Sequence, residues 1–265
     1  NDGLFKPSIM QVEGVRAGFS VRFVQVGLTA AFLYTLPLML QLSFDYTAIE
    51  TGIALMPFSI GLLVLAIVGS KLSARFSAKR LIQVGFALAI IGLAGVGASI
   101  TPDASPTELV LGGLFGAGLG LIASQILNLI LSSVSMKDTA ETAGLSGTFE
   151  QLGNAIGVAL VGTILLGVLS TSLQGQISDS DMFPPETEKE LIAAIEDGVQ
   201  LMSSEQVGTS LEAAGVTGDV EAALLNAYQI ARANAFKAGI GVLIYAALLG
   251  LVFTTGLPNR KLVGE

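Results

Sequence analysis

Six stretches of the chain contain no Asp, Glu, Lys or Arg: 23–44, 51–70, 81–102, 109–136, 151–178 and 238–259. Each reaches the ~20 residues that a helix needs to cross a ~30 Å hydrocarbon core. Lipid offers the backbone no hydrogen-bond partners, so such stretches predict helices. The pattern therefore predicts an all-α polytopic bundle of six transmembrane helices, at about 23–42, 51–70, 81–100, 109–134, 143–170 and 236–258. Residues 1–22 form a cytoplasmic or interfacial lead-in, 171–235 an extracytoplasmic loop and 259–265 a cytoplasmic tail. The first stretch is not a signal peptide, because it follows some twenty polar and mixed residues and five more stretches follow it.

Basic residues orient this bundle. Lys6, Arg16 and Arg22 precede the first span, and Lys71, Arg75, Lys79 and Arg80 separate the second from the third. Lys137 precedes the fifth, and Arg260 and Lys261 follow the sixth. The other side holds Lys189, Arg232 and Lys237, all in the last loop. By the positive-inside rule both termini are cytoplasmic, as an even number of spans requires. Within the last loop, Pro184 and Pro185 lead into Glu186, Glu188 and Glu190, an acidic first helical turn. Leu191, Ile192, Ile195, Val199 and Met202 continue it with one apolar face. Gly208, Gly215 and Gly218 are expected to break the middle, and a second helix is expected from Asp219 into the sixth span. This segment reads as a solvated outer cap or as a gating lid.

Composition sharpens the picture. The 265 residues are 52% hydrophobic and 13% charged, against ~25% charged in soluble domains. The formal charge of −8 argues against nucleic acid as a partner. That charge is local: residues 179–221 hold eleven carboxylates against Lys189, a net −10, which leaves +2 for the rest. Cys, His and Trp are absent, which removes disulfides, Cys/His metal sites and an imidazole base. Gly144-Leu145-Ser146-Gly147 spells the GxSG of rhomboid-type intramembrane proteases, but no His can activate the serine. Asp45 and Asp103 fall in outer loops, so no embedded aspartyl pair exists either. The chain reads as a non-enzyme without a cofactor.

Small residues mark close helix packing: Gly112, Gly116 and Gly120 on the fourth span, Gly153 and Gly157 with Ala155 and Ala159 on the fifth. Pro37 and Pro57 are expected to kink the first two spans. Polar side chains recur at helical spacing. Gln25, Thr29 and Phe32 share a face of the first span, Gln125, Asn128 and Ser132 a face of the fourth, and Glu150 and Asn154 a face of the fifth. Such faces turn toward the bundle or a wet cavity, either as a substrate path or as interhelical hydrogen-bonding glue. Glu150 is a candidate proton-binding group or, alternatively, an interfacial glutamate that reaches water or pairs with a cation.

Several segments together resemble the C-terminal six-helix half of a major facilitator superfamily transporter, and within it the 14-span drug:proton antiporter branch. Leu36-Pro37-Leu38-Met39-Leu40-Gln41 is similar to that branch's "LPLYLQ". Tyr46-Thr47-Ala48-Ile49-Glu50-Thr51-Gly52 with Leu55-Met56-Pro57 resembles "YSALxAG…LLP". Residues 69–80, carrying Gly69, Arg75, Lys79 and Arg80, resemble the cytoplasmic "GxLxDRxGxRR" loop. Glu141-Thr142-Ala143-Gly144 followed by Gln151-Leu152-Gly153-Asn154-Ala155-Ile156-Gly157 resembles "ExAG…RQLGGALG". The departures are Ala74 where the loop has Asp, Ser77 where it has Gly, and Glu150 where the branch commonly has Arg.

The resemblance implies proton-coupled efflux of small amphipathic or drug-like compounds by alternating access, in a bacterial inner membrane. Protons would be the coupling ion. Gln25, Phe32, Gln125, Asn128, Phe149 and Asn154 would line one wall of the path, with Glu150 in proton coupling. A facilitator places its substrate between two six-helix halves, so an N-terminal half, in the same longer chain or separate, is the expected partner beside substrate and lipid. The first residue is Asn1, not Met, which fits a piece of a longer protein. Three other readings stay open: a six-helix homodimer, a non-transporting subunit whose acidic loop docks a partner, and a proton-independent carrier.

Overall fold

The computed structural model describes residues 7–12, 14–100, 110–180 and 185–259. Nine α-helices and no strand occur among them: α1 Val15–Ser43, α2 Ala48–Ala54, α3 Met56–Leu72, α4 Ala78–Ala98, α5 Gly112–Leu131, α6 Thr139–Ser178, α7 Pro185–Asp197, α8 Ser204–Ala213 and α9 Asp219–Phe253. Six segments are long and apolar enough to span a membrane, with α2 and α3 sharing the second. The loop around Asp103, the Pro184 step, Lys6, Arg260 and Lys261 lie outside the described residues.

Several boundaries differ from the charge-free stretches, each for a physical reason. α1 begins at Val15 rather than about 23, so Arg16 and Arg22 belong to the helix and not to a lead-in. A charge ends a charge-free run, but it does not end a helix when its side chain reaches a partner or the interface. Pro37 lies inside α1, and the helix continues beyond it. Pro57 does not kink a continuous span. α2 closes at Ala54, and Pro57 occupies the first turn of α3, where its missing N–H leaves no hydrogen bond unmade. Thr47 and Glu50 start α2 with a reciprocal capping box.

The connection between the fifth and sixth spans is shorter than 171–235. α6 has 40 residues and α9 has 35, or about 60 Å and 52 Å at 1.5 Å per residue, well beyond a ~30 Å hydrocarbon core. Both helices project past the membrane and carry α7 and α8 between them. Gly208 does not break this segment. It lies inside α8, whose start is fixed by a capping box between Ser203 and Gln206. Gly215 and Gly218 do mark the breaks, each at φ +75°.

Arg232 of α9 staples the cap. It is 4% exposed and donates to the Met202 carbonyl at 2.8 Å and to Ser204 Oγ at 3.2 Å. Its guanidinium lies 5.7 Å from the Tyr228 ring centroid, and the Tyr228 hydroxyl donates to the Gln200 carbonyl while accepting from the Met202 N–H.

The membrane part consists of two interleaved triplets, α1–α3–α4 and α5–α6–α9. α3 packs along α5 and α1 along α6, so the second span of each triplet lies against the first span of the other. Glycine makes both crossings close. An added Cβ at Gly116 would meet the Phe58 carbonyl and one at Gly120 the Leu62 carbonyl, both on α3. At the α1–α6 crossing, a Cβ at Gly153 would lie 2.6 Å from the Phe23 carbonyl, and one at Gly157 would meet the Gly27 carbonyl. Gly112 is an exception to the expected row, with only ordinary contacts to Phe32 and Val96. Ala155 and Ala159 are exposed and take no part in the α1–α6 seam. The start of α1 and the end of α9 share one end of the bundle, where Gly14 abuts the Pro258 ring and Lys79 Nζ donates to the Thr255 carbonyl at 2.8 Å.

Two outcomes are expected. Gly116→Ala destabilises the full-length protein by about 1–3 kcal/mol through overpacking, whereas Gly167→Ala, which meets no atom within 4 Å, leaves stability equal or slightly raised. Thermal melting in detergent resolves the two signs. Arg232→Ala frees residues 198–204 and raises limited proteolysis there about tenfold or more, given ~1.5–3 kcal/mol per charged hydrogen bond.

Candidate functional site

The charged site lies where α1 and α6 cross near the basic end of the bundle. Arg22 is seven residues into α1 and Glu150 eleven into α6, about 10 Å and 16 Å along helices that both start at that end. Arg22 Nη2 donates to Glu150 Oε2 at 2.6 Å, and Arg22 Nη1 donates to Gln25 Oε1 at 3.1 Å. The Arg22 side chain is 16% exposed and that of Glu150 is 40% exposed. Gln25 is buried, and Arg22 Nε is buried without a hydrogen-bond partner among the described residues. Phe19 and Phe149 stack beside the pair, with centroids 4.8 Å apart and planes 8° from parallel.

Local sequence explains this constellation. Phe19, Arg22 and Gln25 recur every three residues on α1, and so share a face. Phe149 and Glu150 precede Gly153 by one turn, and Gly153 and Gly157 bring the two backbones together. Arg22 neutralises the carboxylate, and a neutral pair is far less costly to desolvate than either ion alone. The Glu150 side chain keeps one side uncovered by the rest of the bundle.

The remaining predicted residues divide. Phe32 is fully buried and packs on Phe58 and Phe115 at centroid distances of 5.1 and 4.6 Å. It fills the junction of α1, α3 and α5 and lines no open path there. Gln125 is also fully buried, and its Nε2 donates to the Gly69 carbonyl at 2.8 Å, tying α5 to α3. That is interhelical glue. Gly69 has room for no Cβ, since Leu121 and Ser124 occupy the space. Asn128 is exposed on α5, and Asn154 is half-buried one turn beyond Glu150. Arg75 and Arg80 are exposed on the α3–α4 loop and the start of α4, while Lys79 holds Thr255. Ala74, in place of the loop's usual Asp, is exposed.

Sequence reasoning missed Arg22 and Phe19 as site residues. The available signal was Arg22 three residues before Gln25, a cation at a depth that matches Glu150.

A separate cavity of about 460 Å³ lies in the cap, between the end of α6, the start of α9 and helices α7 and α8. Leu173, Ile177, Leu191, Val207 and Tyr228 contribute to its lining, and no charged side chain does among the described residues. Of the six spans, α3 and α6 are the least covered by the rest of the bundle.

The model of the Major Facilitator Superfamily matches residues 5–173. The chain belongs to the major facilitator superfamily. Its topology agrees, with two triplets of spans packed crosswise as inverted repeats are. The chain is 25% identical over 181 residues to the "Probable actinorhodin transporter" of Streptomyces coelicolor, covering 66% of this chain and 31% of that one. It is 28% identical over 183 residues to the "Puromycin resistance protein pur8" of Streptomyces alboniger, covering 65% and 35%. It is 29% identical over 138 residues to a "Tetracycline resistance determinant" of Streptomyces rimosus, covering 51% and 39%. The chain thus spans about a third of the length of the curated relatives it matches. A facilitator chain of this kind is an integral membrane protein and not an enzyme.

A double-mutant cycle checks the pair within this facilitator bundle. Arg22→Met and Glu150→Gln each lower the melting temperature of the full-length protein, and the double variant recovers part of the loss. The expected coupling is on the order of 1 kcal/mol, kept low because Glu150 is 40% exposed. Additive losses would remove the pair from the account.

Proposed function

We propose that this chain is the C-terminal half of a proton-coupled efflux transporter for small amphipathic or drug-like compounds. It works by alternating access in a bacterial inner membrane, with both termini cytoplasmic. The carrying observation is the Arg22–Glu150 pair at the α1–α6 crossing, neutral as a pair and uncovered by the bundle on one side. Proton binding at the Glu150 carboxylate removes its charge and breaks the ion pair. Arg22 is then left with Gln25 alone, its Nε already unpartnered, and the two helices lose the attraction that joins them at that depth. Loss of the proton restores the pair. A carboxylate whose partner is lost on protonation can thus couple proton occupancy to helix position.

The names of the relatives, which speak of actinorhodin transport and of resistance to puromycin and tetracycline, support export of antibiotic-like molecules. An N-terminal half fits the uncovered face of α6, where Thr148, Gln151, Ala155, Ala159 and Thr163 are exposed. Small and polar residues suit close packing against other helices better than they suit lipid tails. The exposed face of α3 carries Ile60, Leu63, Val64, Ile67 and Val68, which suits lipid.

Everted vesicles containing the full-length transporter test the coupling. Added substrate drives proton movement across the membrane, read by a pH-sensitive dye. Glu150→Gln is expected to retain substrate binding and to lose the substrate-driven proton signal at least tenfold. An unchanged signal in that variant removes Glu150 from the mechanism.

A further inference from the structure

The crosswise packing of the two triplets is not symmetric everywhere. α6 and α9 pack together along their length, but their counterparts α3 and α4 hardly touch. α5 lies beneath both and holds them apart, through close glycine contacts at Gly61 and Gly69 on α3 and at Gly85 and Gly92 on α4. The result is an open groove of about 520 Å³ between α3 and α4. Leu65 and Leu72 form one wall, Val84 and Leu88 the other, and Leu121 of α5 the floor. Phe76 and Arg80 stand at its basic end.

Length, chemistry and charge of this groove fit one kind of occupant. From Arg80 to Leu88 the groove follows about 12 Å of helix, close to the ~15 Å hydrocarbon depth of one leaflet. Its walls are aliphatic apart from Gln83, whose Nε2 donates to Thr254 Oγ1 at 3.1 Å, and they lie on spans with apolar exposed faces. Arg80 is exposed and has no hydrogen-bond or ion-pair partner among the described residues, whereas Lys79 beside it is held by Thr255. Lys71 and Arg75 lie exposed at the same end. Between positions 51 and 102 the chain holds these four cations and no carboxylate. A long cationic side chain at a helix start reaches the headgroup level while its stem stays in the apolar groove. Basic pockets between spans are sites for anionic headgroups.

We infer that the α3–α4 groove binds one anionic phospholipid from the leaflet at the basic end of the bundle. An acyl chain lies between Leu72 and Leu88, and Arg80 holds the phosphate. The site fills with lipid the space that helix–helix contact fills between α6 and α9. It is independent of the transported compound and of Glu150.

This chain has no Cys, so one introduced cysteine reports on the groove. Val84→Cys, in the full-length transporter freed of other cysteines, is labelled with a benzophenone and reconstituted in equal parts phosphatidylglycerol and phosphatidylcholine. Val252→Cys on α9, 60% exposed and near the same end, reports the bulk lipid ratio. Adducts at Val84→Cys are expected to be about fivefold enriched in phosphatidylglycerol over those at Val252→Cys, the effect of one cation near a headgroup. Adding Arg80→Gln brings the enrichment back to the bulk ratio. Leu88→Trp, which fills the groove, does the same without lowering the melting temperature. Equal ratios at the two labels, an enrichment that survives Arg80→Gln, or adducts to protein in place of lipid would each overturn the inference.

Discussion

Contact between helix backbones at glycine is the constraint on which this bundle rests. Lipid tails are as apolar as leucine, so burying apolar surface gives no advantage to one helix pair over another in the membrane. What remains is dispersion and close approach. The α3–α5 and α1–α6 crossings supply both, because carbonyl groups of one helix lie against the Cα atoms of glycines on the other. The charge pair and the Gln125 tie inherit their positions from these two crossings. Gly153 and Gly157 place α6 where Glu150 reaches Arg22, and Gly116 and Gly120 place α5 where Gln125 reaches the Gly69 carbonyl. The aromatic cluster of Phe32, Phe58 and Phe115 then fills the space between the two seams.

The same constraint explains why polar residues on one helical face took different fates. Gln25 and Phe32 lie seven residues apart on α1, about two turns, and both are buried. Gln25 faces the α6 seam and the charge pair, while Phe32 faces α3 and α5. Gln125 and Asn128 diverge further, the first sealed against α3 and the second exposed. Helical spacing reports that residues share a side. It does not report whether a neighbouring helix covers that side.

The sequence makes the six spans and their order legible, because ~20 residues without charge suit a lipid interior and little else. Helix ends were less visible. Arg16 and Arg22 interrupt a hydropathy pattern without interrupting α1, and the polar turns at the end of α6 and the start of α9 look like loop by composition. Of the site, Glu150 stood out as a lone carboxylate within a span. Its partner did not, since the pairing joins residues 128 positions apart and depends on a helix crossing that one sequence cannot display. Arg232 was equally hidden. By count it belonged to a loop, yet it is the most deeply buried cation described, and it holds the segment that starts α8.

α6 and α9 leave the membrane as unbroken helices, and the cap is fastened to both. Asn234 of α9 donates to Ser172 Oγ of α6 at 2.9 Å, and Ser178 at the tip of α6 donates to Glu188 of α7. A stiff rod some 60 Å long, pivoting near one end, magnifies a small angular change into a large displacement at the other. The negatively charged cap and Glu150 therefore belong to one continuous helix, with the cap fastened at its far end. Any tilt of α6 about its first turns would displace this acidic cap further than it displaces the carboxylate.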